Sequence, residues 1–63
     1  MPVITIDGGK MTKEQKAALV KELVSAASKI LEIPEQAFTT IIRENDFDNI
    51  GSGKTLLSEK HNK

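Results

Sequence analysis

The chain has 63 residues, nine basic and nine acidic side chains, and no cysteine. That length allows one domain at most, over residues 1–63, and the missing thiols exclude disulfides and thiolate metal sites. A formal charge of zero and two aromatics, Phe38 and Phe47, supply neither the basic face nor the stacking platform of a nucleic-acid binder.

A chain this small buries little surface alone, and natural cases add disulfides, metals or partner chains. The single histidine, His61, lies in a polar tail and reads as solvated rather than as a ligand. No metal or cofactor is therefore expected, and self-association is the remaining way to complete a core. Val3 to Ile6 is too short to span a membrane or to act as a signal peptide, and Asp7 and two glycines follow it. The absence of cysteine is compatible with a reducing compartment, and a cytoplasmic protein without membrane or nucleic-acid partners is expected.

Met1-Pro2-Val3-Ile4-Thr5-Ile6-Asp7 opens the chain. Val3 to Ile6 are β-branched throughout and predict a buried strand. A proline at the head of a strand forfeits little of the ladder, so one reading of Pro2 is that it merely starts the strand. The other is chemical. The small residue after Met1 favours removal of Met1, which would leave Pro2 with a terminal secondary amine. An amide nitrogen is not basic, whereas a terminal amine titrates near pH ~8 and could serve as a general base. With Met1 retained, Pro2 is acylated and has no basic nitrogen.

Gly8-Gly9 permits a tight turn. Thr12-Lys13-Glu14-Gln15 is a capping-box pattern, with Thr12 as N-cap, Gln15 three residues on and Glu14 suited to the helix dipole. The helix is expected over Lys13 to Glu32. Leu19, Val20, Leu23, Val24, Ala26, Ala27, Ile30 and Leu31 form its apolar stripe, which reads as core. Pro34 ends it, and Pro34 to Ala37 make a turn.

Phe38 to Glu44 predicts the second strand. Phe38, Thr40 and Ile42 share one face; Thr39, Ile41 and Arg43 share the other. Strand, helix and strand form a βαβ unit of the α/β (α+β) class, with parallel strands and a right-handed crossover. One helix covers one face of a two-stranded sheet, so the other face and both edges require protein from elsewhere. Asn45 to Asn49 reads as a polar loop and Ile50-Gly51-Ser52-Gly53 as a glycine-rich turn. Lys54 to Leu57 suits a short strand or a helical turn, and Glu59 to Lys63 a charged, frayed tail.

Two motifs fail on inspection. Gly53-Lys54-Thr55 resembles the end of a phosphate-binding loop, but the first glycine would fall on Asp48, which repels phosphate. Asp46 onward resembles a calcium loop, but Ile50 and Leu57 stand where oxygen ligands are needed. No Ser/His/Asp or Cys/His set can be assembled. The Pro2 amine is the one catalytic group with a physical rationale.

The whole chain resembles the 4-oxalocrotonate tautomerase family. The resemblance rests on Pro2 before an apolar strand, Thr12-Lys13-Glu14-Gln15-Lys16 opening the helix and Leu31-Glu32-Ile33-Pro34 closing it. It continues through Ile41-Ile42-Arg43-Glu44 and Gly51-Ser52-Gly53. It implies a tautomerase-type βαβ subunit that pairs into a dimer with a four-stranded sheet, and a hexamer built as a trimer of dimers. It also implies that Pro2 acts as general base and then acid, moving a proton within a small 2-hydroxy-dienoate or related enol to give the keto tautomer. The 2-hydroxymuconate type of this activity belongs to aromatic hydrocarbon catabolism. Burial and nearby cations depress an amine's pKa. An amine lowered to pKa ~6.5 would be about three-quarters free at pH 7.

Family members that take dicarboxylates use an arginine just before the helix and another early in the second strand. The corresponding residues here are Met11, with Lys10 beside it, and Thr39. Ile50 replaces an aromatic of the late loop. The candidate substrate-binding residues are therefore Lys10, Thr39 and Ile50, with bidentate carboxylate recognition lost. Arg43 reads as structural or intersubunit. A proline-dependent hydratase or dehalogenase, and a noncatalytic assembly protein on the same scaffold, are the alternatives.

Overall fold

The computed structural model describes residues 1–60; residues 61–63 of the expected tail, His61 among them, lie outside the described residues. Strand β1 spans Val3–Gly8, helix α1 Lys13–Leu31 and strand β2 Thr39–Glu44. The two strands are parallel, in register from Val3 opposite Thr39 to Gly8 opposite Glu44. Thr12 caps α1 as its sequence requires: its hydroxyl accepts from the Gln15 amide, and the Gln15 side chain accepts from the Thr12 amide, each at 3.0 Å.

Three boundaries differ from expectation. β1 runs through Asp7 to Gly8, because the ladder to β2 continues and ends on the Asn45 amide, which donates to the Gly8 carbonyl at 2.7 Å. β2 begins at Thr39, since Phe38 closes a 3-10 turn over Glu35–Ala37. α1 stops before Pro34. Glu32 takes a left-handed conformation (φ 59°), and its amide and that of Ile33 both donate to the Ser28 carbonyl.

The C-terminal segment as far as Lys60 carries the short strand expected within Lys54 to Leu57, whereas Gly51–Ser52 and Glu59–Lys60, expected as turn and tail, are strand and helix. A 3-10 turn over Phe47–Asn49 leads to a hairpin of β3 (Gly51–Ser52) and β4 (Thr55–Leu56), followed by the four-residue helix α2 (Leu57–Lys60). Gly53 makes the hairpin connection at φ 63°, a region that favours glycine. Gly53 and Lys54 thus form a hairpin turn rather than a phosphate loop.

Accessibility alternates along both strands. Ile4, Ile6, Thr40 and Ile42 are half-buried under α1, which turns Lys16, Val20, Val24 and Ala27 inward. Val3, Thr5, Asp7, Thr39, Ile41 and Arg43 occupy the open face. Arg43 there pairs with Asp7, its register partner, at 3.5 Å. None of the described residues is buried, and Val3 and Ile41 are 51% and 42% exposed. The molecule is a slab of 45 × 24 × 14 Å. Its radius of gyration is 15.3 Å, against about 11 Å for a compact domain of this length. The thin dimension is one helix on one sheet, so the chain by itself has a half-core. Among the described residues no helix is long and apolar enough to cross a membrane.

Candidate active site

Pro2 stands at the head of β1 and is half-buried. Its carbonyl accepts the Thr39 amide at 3.1 Å, which extends the ladder one step before Val3. The hydrogen bond engages the carbonyl side of Pro2 and leaves its nitrogen outside the ladder. Thr39, the first residue of β2, is exposed on the open face at this same end of the sheet.

Lys10 lies beyond the other end of β1. Six strand residues separate it from Pro2, a span of roughly 20 Å. One chain therefore brings Pro2 and Thr39 together and holds Lys10 apart from both. Lys10 is exposed, has no ion-pair partner among the described residues, and lines two adjoining open grooves. One, of about 530 Å³, continues along α1 past Met11, Gln15, Ala18, Leu19, Glu22 and Leu23. The other, of about 420 Å³, is closed by Asn45, Asp46 and Phe47. Ile50 follows the turn that Phe47 opens; its amide donates to the Phe47 carbonyl and its carbonyl accepts from Leu57. It therefore sits nearer the Lys10 end than the Pro2 end.

Sequence reasoning did not find Glu44 as a junction. Its carboxylate accepts from the Met11 amide at 3.1 Å and pairs with the Lys16 ammonium at 3.0 Å. The hydrogen bond from Lys16, then that from Met11, holds its carboxyl below the ordinary value. The available signal was weak: Glu44 ends a strand and Lys16 lies in the first helical turns, and only the parallel crossover makes them neighbours.

Residues 2–60 match the family model described as tautomerase enzyme. Solved structures resemble the chain closely. A 4-oxalocrotonate tautomerase homologue is 29% identical with a TM-score of 0.87, covering 97% of this chain and 98% of that one. DmpI from Archaeoglobus fulgidus is 32% identical with a TM-score of 0.82, covering 90% and 98%. An unfused 4-oxalocrotonate tautomerase, crystallised in apo form, is 30% identical with a TM-score of 0.84, covering 94% and 98%. Among curated proteins no match reaches significance. A family model spanning nearly the whole chain and a shared βαβ architecture lead to one conclusion: the chain belongs to the 4-oxalocrotonate tautomerase family of tautomerase enzymes.

Proposed function

We propose that this chain is an enol–keto tautomerase whose base is the secondary amine of Pro2, exposed once Met1 is removed. The observation that carries the reading is the position of Pro2 in a chain of this family: its carbonyl is held by Thr39, and its nitrogen has no part in the ladder. The free amine takes a proton from a small 2-hydroxy-dienoate or related enol. The resulting ammonium returns a proton to carbon, so the product is an isomer and no cofactor is consumed.

Lys10 binds the substrate carboxylate as a point charge, Thr39 lines the pocket beside Pro2, and Ile50 contributes an apolar wall. Since Lys10 and Pro2 lie at opposite ends of β1, such a site combines two chains. Antiparallel pairing of two subunits edge to edge would set the Lys10 end of one beside the Pro2 end of the other. The same pairing would join the sheets into four strands, and the uncovered face, with Val3 and Ile41 exposed on it, supports further assembly into a hexamer of three dimers. In this reading residues 1–63 form a single domain, and the enzyme works in the cytoplasm.

The test uses two preparations, one with Met1 removed and one with it retained, each verified by intact mass. Both are given 2-hydroxymuconate and the enol of phenylpyruvate, and ketonisation is followed by absorbance. The processed protein is expected to accelerate it and the Met1-retaining protein to leave it at the buffer rate. Equal rates would rule out the Pro2 amine.

A further inference from the structure

We propose that Glu44 is a positioning residue for Lys10, holding the turn that carries it so that the ammonium stands at the meeting of the two grooves. The inference rests on the role given to Lys10 above. Lys10 occupies a short segment between Gly8 and Met11, and both flanks are tied to one dipeptide at the end of β2. On one side, the Gly8 carbonyl accepts from the Asn45 amide at 2.7 Å and from the Asn45 side-chain amide at 3.4 Å. On the other, the Met11 amide donates to Glu44 Oε2 at 3.1 Å. Glu44 and Asn45 thus clamp the turn from both ends, leaving Gly9 and Lys10 to bridge the gap.

The clamp also fixes the charge pattern. Lys16 Nζ lies 3.0 Å from the same Glu44 oxygen, so the carboxylate already has a cation. Lys10, whose charge acts on Glu44 at longer range, forms no contact ion pair among the described residues and lines both grooves. A glycine-containing turn without Glu44 would have more backbone freedom, and ordering it on binding would weaken the complex. The carboxylate of Glu44 does not reach the grooves' lining. It acts through the Met11 amide, and its loss should weaken substrate binding more than it slows the chemical step.

The experiment compares processed wild type with Lys10→Ala, Glu44→Ala, Glu44→Asp, Glu44→Gln and the Lys10→Ala/Glu44→Ala double variant. The substrate is the enol of phenylpyruvate, and each variant's assembly state is checked by light scattering. Lys10→Ala should raise KM about tenfold, and Glu44→Ala about fivefold with kcat within about twofold. Glu44→Asp, too short to reach Met11, should behave as Glu44→Ala and serves where the alanine variant does not fold. Glu44→Gln keeps an acceptor for the Met11 amide and should restore KM. In the Lys10→Ala background, Glu44→Ala should add nothing, because the group it positions is gone. If Lys10→Ala leaves KM unchanged, the anion-binding role of Lys10 falls and this inference with it. If Lys10→Ala raises KM and neither Glu44→Ala nor Glu44→Asp does, only the positioning role falls. A full Glu44→Ala effect in the Lys10→Ala background also overturns it, since Glu44 would then act by another route.

Discussion

The amide of Thr39 donates to the carbonyl of Pro2 at 3.1 Å, one step beyond the regular register of the parallel sheet. That bond fixes the end of β1 through an atom that any residue at position 2 would supply. Pro2→Ala should therefore keep fold and assembly while replacing a secondary amine by a primary one. A drop in kcat of about 10²-fold, at unchanged molecular mass in solution, is expected for loss of a tuned general base. Steady-state kinetics with sedimentation on the same preparation checks both halves.

The open sheet face predicts association. Val3 and Ile41 are 51% and 42% exposed beside the Asp7–Arg43 pair, and the chain has no buried residue of its own among those described. Light scattering at micromolar concentration should give a mass several times 6.9 kDa, and Ile41→Asp should lower it by placing a charge on that face. A stable monomer of wild type would remove the argument.

Substrate charge should be read weakly. The resemblance implies arginines at the positions of Met11 and Thr39 in a dicarboxylate-specific enzyme, and each charge-assisted hydrogen bond lost is worth ~1.5–3 kcal/mol. Two such losses amount to on the order of 10²–10⁴ in selectivity. The ratio of kcat/KM for a dicarboxylate over a monocarboxylate enol should be near one, and Thr39→Arg should raise it, since position 39 adjoins Pro2. A wild-type preference of about a thousandfold for the dicarboxylate would show that another cation has taken over.

The Thr40 hydroxyl is buried on the helix-facing side of β2 and has no hydrogen-bond partner among the described residues. Thr40→Val keeps the shape, removes the unsatisfied oxygen and should stabilise by about 1 kcal/mol. Thermal melts at one fixed protein concentration test this, because assembly makes Tm concentration-dependent. A lower Tm for Thr40→Val would mean that the hydroxyl finds its partner in a neighbouring subunit.

Glu44 predicts part of the acid response. Its carboxyl pKa is lowered in the folded chain by Lys16 and Met11. A lowered carboxyl pKa contributes stability that is present above the unfolded value and lost as pH falls through the folded value. Wild type should exceed Glu44→Gln in Tm at neutral pH, and the difference should shrink as pH falls below ~4.3. A difference that stays constant down to pH ~2 would contradict the ion pair as its source.

The βαβ order, the capping box at Thr12, and the helix-facing and open sides of β2 were all legible in local pattern. β-branched runs, a Thr-x-x-Gln cap and a two-residue alternation are properties of neighbouring residues, and counting along the chain finds them. The resemblance from Pro2 to Gly53 likewise led to the family that the matches establish. The close of α1 was less legible, because it depends on a left-handed Glu32 rather than on Pro34, and glutamate carries no signal for that conformation. Only the tertiary structure decided which candidates meet. Parallel pairing puts both strand starts at one end, so Pro2 adjoins Thr39, while Lys10 emerges at the far end with Asn45 and Phe47. The same crossover sets Glu44 beside Met11 and Lys16, 33 and 28 positions away in sequence. Spacing along a chain cannot encode that neighbourhood, because it arises only when the helix folds back over the sheet and the end of β2 reaches the turn that joins β1 to α1.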